Sequence, residues 1–216
     1  MKIGTWNLAG RWGDDHRKLL ESLKCDVWLL TEVREDVALE GYEVHLGAGQ
    51  MHPRRRFAGV LSLKAIEPLK DPHGASAAAR INGIVYCSSI LPWRACGKKA
   101  PWSGETHTAR TVAAVDTFMA ALPDDPLVWG GDWNHALEGK EYAGSVAGRT
   151  SICDALGRRG LKAHTKSLPH RIAGLLSIDH IAVPKAWTAT PTRVSAVVGG
   201  KALSDHDLYV LEVPAR

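Results

Sequence analysis

Asn, Asp, Glu and His side chains recur at the ends of short apolar runs along this chain. They occur in Thr5-Trp6-Asn7, Leu30-Thr31-Glu32, Gly131-Asp132-Trp133-Asn134, Ile178-Asp179-His180 and Ser204-Asp205-His206. Apolar runs this short, with β-branched residues, read as buried strands. Polar residues at strand ends converge on one rim of a sheet, where sites are commonly built. Hard oxygen ligands with an Asp-His pair suit divalent-cation chemistry on a phosphate, with Mg²⁺ or Mn²⁺ favoured over softer ions. Each cluster alone also has an ordinary reading. Asn forms turns, a strand-end carboxylate is often merely solvated, and a Gly-Gly-Asp segment can be a turn without chemistry.

Elements that could position these groups follow from periodicity. Lys2 to Asn7 reads as a first strand, and Asp14 to Leu23 as a helix with Leu19, Leu20 and Leu23 on one face. Asp26 to Glu32 is an apolar strand ending in a carboxylate. Tyr42 to Leu46, Phe57 to Leu63 and Gly83 to Leu91 read as further strands, with the basic stretch Met51 to Arg56 as a loop between the first two. Pro92 to Gly104 is a second loop, carrying Trp93, Arg94, Lys98, Lys99 and Trp102. Thr108 to Leu122 is helical, Leu127 to Trp129 a short strand, and Ile152 to Gly160 a helix stopped by glycine. Leu176 to Val183, Arg193 to Val198 and Leu208 to Val213 are the closing strands. Strands dominate without a strict βαβ rhythm, which argues against a Rossmann fold.

The chain has 216 residues, and no linker-like shift in composition divides it, so one domain over 1–216 is expected. Its 27 Lys+Arg against 23 Asp+Glu give a net charge of +4, compatible with a polyanionic partner without requiring one. Cys25, Cys87, Cys96 and Cys153 form no close pair, so reduced thiols are expected rather than a zinc site or a disulfide framework. The first strand begins at Lys2 and no apolar run is long enough to span a bilayer. A cytoplasmic monomer with no leader and no membrane partner is the expectation.

The order, spacing and flanks of the polar clusters, from Lys2 to Val213, resemble the endonuclease/exonuclease/phosphatase superfamily. Gly131-Asp132-Trp133-Asn134 and Ser204-Asp205-His206-Asp207 are the most specific parts. The resemblance implies an α/β fold of the deoxyribonuclease-I-like type, a four-layer α/β/β/α sandwich of two mixed sheets with outer helices. It implies that Glu32 contacts the metal, that Asp205 sits at or near it, and that Asn7 lies beside it, either ligating it or orienting Glu32. It implies that Asp132 orients or deprotonates water, that Asn134 bonds the phosphate, and that Asp179 holds His206 against a non-bridging oxygen. His180 is left out, because it alternates away from Asp179 along the strand.

One departure stands out. Many nuclease members carry Tyr or His before the Pro of the central strand, whereas this chain reads Ser88-Ser89-Ile90-Leu91-Pro92-Trp93. Arg94, His107 and Arg110 are the candidates to replace that phosphate contact, Arg110 by its place at a helix start. Trp93 and Trp102 with Arg94, Lys98 and Lys99 could stack bases and track phosphates, with Arg54, Arg55 and Arg56 adding contacts. Lys166 to Arg171 is a third basic loop. The expected activity is therefore Mg²⁺- or Mn²⁺-dependent hydrolysis of a phosphodiester, with DNA as the nucleic-acid partner. The alternatives are a phosphatase or phosphodiesterase acting on a small molecule or lipid headgroup, and a nucleic-acid-binding module with a retired site.

Overall fold

The computed structural model describes residues 1–214. Its elements run β1 Lys2–Asn7, α1 Asp14–Leu23, β2 Val27–Arg34, β3 Glu43–Leu46, β4 Gln50–His52, β5 Arg55–Ser62, β6 Glu67–Pro68, β7 Ser76–Ile81 and β8 Ile84–Ser89. They continue α2 His107–Ala121, β9 Leu127–Asp132, α3 Val146–Arg158, β10 Leu161–Ala163, β11 Asp179–Pro184, β12 Thr190–Val194, β13 Val197–Val198, β14 Lys201–Ala202 and β15 Leu208–Glu212.

Two mixed sheets result. The first has the order β12-β15-β1-β2-β5-β3, with β4 also on β5; the second has the order β10-β11-β9-β8-β7-β6. Each contains one parallel pair, β1 with β2 and β8 with β9. The sheets face each other across a buried layer of Ile3, Val27, Leu29, Ala58 and Val60 against Ala77, Ala79, Tyr86, Val128, Ile181 and Val183. The outer face of the first sheet packs Trp6, Trp28 and Leu30 with Leu20 of α1. The outer face of the second packs Cys87 and Trp129 with Phe118 of α2 and Ile152 of α3. The layers thus run helix, sheet, sheet, helices, and the α/β sandwich is as expected. Both sheets are covered on both faces, which is why their strands read as continuous apolar runs instead of clean alternations.

Some elements differ from the sequence reading. β7 was not foreseen, because Ala77-Ala78-Ala79 carries no β-branched or aromatic signal; small side chains suit this strand, which is buried on both faces. The basic stretch 51–56 is not a loop throughout: β4 and β5 meet there in a tight turn, with Arg54 at φ 62°. α3 begins at Val146, earlier than Ile152, because the Ser145 side chain caps it by accepting from Gly148 N. The short strands β6, β10 and β14 carried too few residues to show a period.

Candidate active site

Strand parity brings the polar clusters together. In β1, Ile3 faces the opposite sheet, so Asn7, four residues on, opens into the same layer at the strand's end. In β9, Val128 faces inward and Asp132 shares its parity; in β11, Ile181 faces inward and Asp179 shares its parity. Asn7, Asp132 and Asp179 therefore meet at the rim of the layer between the sheets, all nearly fully buried. His180 has the opposite parity. It packs on Trp133 and its Nε2 lies 2.9 Å from the His135 carbonyl oxygen. Burial pushes its imidazole down to about 4, so it is a neutral core histidine.

Glu32 breaks its strand's pattern. Parity would send it outward with Trp28 and Leu30. Its φ of 50° turns it instead, a left-handed conformation that costs a non-glycine residue about 1–3 kcal/mol. The turn is held by Leu8 N to Thr31 O at 2.9 Å and Gly10 N to Glu32 O at 3.0 Å. The result is that Asn7 Nδ2 donates both to Glu32 Oε1 at 3.2 Å and to Asp132 Oδ2 at 3.0 Å. Asn7 Oδ1 accepts from Ala9 N at 2.8 Å, which fixes which way the amide points. Asn134 is likewise left-handed, at φ 52°. The segment after Asp132 is thus a turn and not extended: Asn134 N donates to Asp132 Oδ1 at 3.0 Å, and Asn134 Nδ2 to Leu91 O at 3.1 Å.

Asp132 and Asp179 stand directly opposite each other in the antiparallel β9–β11 pair. Like charges in that register repel. His206 lies between them, with Nδ1 donating to Asp179 Oδ2 at 2.8 Å and Nε2 at 3.9 Å from Asp132 Oδ2. Ligand atoms of these residues all lie within 4.8 Å of one another. Burial drives the Asp132 carboxyl up to about 7, with the Asp179 charge adding to the rise and His206 opposing it. Burial alone would push the His206 imidazole down; the Asp179 and Asp132 carboxylates overcome it and raise it to about 10. His206 is therefore an imidazolium at neutral pH, held by Asp179 with one nitrogen free to act.

The loop carrying His206 is pinned from several sides. Ser204 Oγ donates to Asn7 O at 2.6 Å and accepts from His206 N at 3.1 Å, while Trp6 Nε1 donates to His206 O at 3.1 Å. Arg171 Nη1 donates to Ser204 O at 2.8 Å, which ties the third basic loop to the site. Asp205 lies on the exposed side of the rim, 3.4 Å from Ser204 Oγ, and its charge acts on His206.

The residues expected to contact substrate are placed differently. Arg110 is buried, and its Nη1 donates to the Gly104 and Glu105 carbonyls at 3.2 and 3.3 Å. Arg94 Nε donates to Gly144 O at 2.8 Å, joining the loop after β8 to the loop before α3. Trp93 packs edge-on against Trp102, with ring centroids 6.1 Å apart, and Trp102 belongs to the core. His107 stacks on His135 and bonds Pro92 O. These side chains build the loop; they do not join the Asp132–Asp179–His206 group. Sequence reasoning missed Ser204 as the pin of the site and Tyr142 as a neighbour. Tyr142 donates to Leu176 O at 2.9 Å, and its hydroxyl is pushed up by burial first and then by Asp179. A lone Tyr in a Gly-rich loop gave no periodic or motif signal.

A buried carboxylate pair bridged by an imidazolium is thus joined through an amide to a third carboxylate, and with the family this geometry supports a phosphoester hydrolase. The chain belongs to the Endonuclease/Exonuclease/phosphatase family, whose model matches residues 4–206. Among solved structures it is similar to an AP endonuclease from Archaeoglobus fulgidus, with TM-score 0.73, 15% identity and 100% of each chain covered. It is also similar to the 3′ phosphatase NExo from Neisseria bound to a product DNA hairpin, with TM-score 0.63, 17% identity and 100% of each chain covered. A third is truncated TDP2 from Caenorhabditis elegans, with TM-score 0.61, 14% identity, 99% of this chain and 97% of that one. At these identities the likeness speaks for the fold. No curated protein matches the sequence.

Proposed function

We propose that this chain hydrolyses phosphodiester bonds in DNA with the help of Mg²⁺ or Mn²⁺, acting as a cytoplasmic monomer formed by one domain over residues 1–216. The observation that carries the reading is the His206 imidazolium bonded to Asp179 at 2.8 Å and lying 3.9 Å from Asp132. A charged donor and a proton-accepting carboxylate sit side by side, as attack of water on a phosphate needs.

Family members are generally divalent-metal dependent, and the residues here fit such an ion. Glu32, Asp132, Asp179 and Asp205 crowd negative charge onto one rim against His206 and Arg55, and Asp179 Oδ1 is buried without a hydrogen-bond partner among the described residues. Glu32 and Asp205 would hold the ion, while Asn7, whose amide N–H groups face Glu32 and Asp132, would orient Glu32 rather than ligate; when bound, the ion would neutralise phosphate charge and acidify water. Asp132, held by Asn7 and the Asn134 backbone, takes the proton from the attacking water. The second N–H of Asn134 Nδ2 is available to a phosphate oxygen. His206 donates from Nε2 to a non-bridging oxygen as charge develops there, and Asp179 keeps its ring fixed and charged. Arg94, Arg110 and Trp93 serve substrate by shaping the loop above the site.

With Arg110 buried, and Arg55, Arg56 and Lys98 paired with carboxylates, fewer free cations remain for a long polyanion than the sequence suggests, which keeps a phosphatase on a smaller ester as the rival. Turnover should be compared on duplex DNA, abasic duplex, 3′-phosphorylated DNA, RNA, inositol phosphates and bis-p-nitrophenyl phosphate. Preference for DNA diesters supports the reading; turnover confined to small esters replaces it with the rival.

A further inference from the structure

The fold sends the Arg54-Arg55-Arg56 run to separate tasks. Arg54 stands exposed at the β4–β5 turn, and Arg56 bonds Ala48 O at 2.7 Å and pairs with Glu35 at 2.8 Å. Arg55 Nη1 donates to Glu32 Oε2 at 2.9 Å, on the same carboxylate whose other oxygen accepts from Asn7. This pair is partly shielded, with side chains 32% and 21% exposed. It is also seated: Gly10, at φ 66°, lies so close under the guanidinium that a Cβ there would overlap it. The Gly10 N–H in turn bonds Glu32 O. One short segment thus fixes both the Glu32 backbone and the berth of Arg55. The guanidinium charge is permanent, since arginine does not deprotonate in proteins.

We propose that Arg55 is a built-in counter-cation of Glu32, which holds down the site's affinity for a divalent ion until a phosphate group binds alongside. The inference rests on the metal-binding reading above. An ion held by Glu32 lies close to the guanidinium, and like charges at short range repel with an energy that falls only as 1/(εr). A phosphate placed at the rim reverses the balance. The guanidinium fork can keep Nη1 on Glu32 while its remaining N–H groups take a phosphate oxygen. Ion and phosphate then favour each other's binding, and by linkage each raises the other's affinity by the same factor. Arg55 therefore makes full loading of the site depend on the presence of substrate.

The test is calorimetric titration of Mn²⁺ into the full chain, with and without dimethyl phosphate, at fixed ionic strength. Arg55→Met keeps the stem and removes the charge; it should bind Mn²⁺ about tenfold tighter than the parent, with most of the dimethyl phosphate enhancement lost. Arg55→Lys keeps the charge and should stay near the parent. Gly10→Ala dislodges the guanidinium and should shift affinity in the same direction as Arg55→Met, by less. A role limited to propping Glu32 predicts the opposite sign, because a loosened carboxylate binds Mn²⁺ more weakly. Equal or weaker Mn²⁺ binding by Arg55→Met would overturn this inference and leave the metal reading standing. Absence of Mn²⁺ binding by the parent chain would overturn both.

Discussion

Replacing Asp179 by Asn keeps the shape of the carboxyl group and removes its charge, so it asks directly what holds His206 protonated. The imidazole is raised from 6.5 to about 10 although burial works against it. At 1.36 kcal/mol per unit, the carboxylates favour the imidazolium by on the order of 5 kcal/mol over the free side chain. Asp179 is the larger contributor, ahead of Asp132. Asp179→Asn should therefore bring the His206 imidazole down, because burial then acts with only the Asp132 and Asp205 charges opposing it. The assay is an NMR titration of the His206 ring in the metal-free protein, followed by the pH profile of kcat. The parent should stay charged to about pH 10, and the variant should lose its proton at a clearly lower pH. Stability follows the same proton. A raised folded-state pKa contributes stability that is complete below 6.5 and is lost as pH rises through about 10. Parent stability should fall over that window, and the variant should show a flatter slope. An unchanged His206 titration in Asp179→Asn would refute the assignment of Asp179 as the group that charges the imidazole.

His206→Ala should lower kcat by about 10²–10³ or more, and the His206→Ala, Asp179→Asn double variant should cost little beyond the worse single one; multiplicative losses would mean that the two residues act independently. Asp132→Asn should abolish turnover while raising the melting temperature at pH 8, because burial already disfavours its charge; a marked fall in melting temperature would show that the charge stabilises the fold. His180, lowered to about 4 by burial, should make the protein less stable as pH falls from 6.5 to about 4, by roughly 3 kcal/mol in all. Chemical denaturation across that range should show the loss, and His180→Gln should flatten it. Duplex DNA affinity should fall with salt at a log-log slope of about −0.9 per phosphate contacted, and a slope near zero would favour the small-ester reading.

The site's elements were legible in the sequence because each polar residue closes a strand buried on both faces. β1 and α1 fall where the apolar pattern puts them, and Asn7, Asp132 and Asp179 take the parity that the inward residues Ile3, Val128 and Ile181 set. Parity also separates His180 from Asp179. It misleads at Glu32, where a left-handed backbone residue overrides the alternation, and after Asp132, where Asn134 turns the chain. Those are departures that no periodicity signals. The basic and aromatic loops were the least legible part. That Arg110 is buried, Trp93 half-buried and Arg94 exposed with its Nε on Gly144 O depends on which carbonyls and rings lie nearby, and residue type says nothing about that. Arg55 shows the same limit: it sits in a run of arginines, and only the fold shows that it pairs with Glu32.

Metal-assisted attack of water at a DNA phosphodiester can be followed atom by atom. Cleavage of a labelled duplex should be run in ¹⁸O-enriched water, with Mg²⁺ and then with excess chelator, and the product phosphates weighed by mass spectrometry. One ¹⁸O per cleaved bond should appear in the terminal phosphate, cleavage should stop with chelator and return with Mg²⁺ or Mn²⁺, and His206→Ala should lose the same signal. Cleavage that proceeds unchanged in chelator, or a parent protein that leaves duplex DNA intact in Mg²⁺, would contradict metal-assisted hydrolysis of DNA.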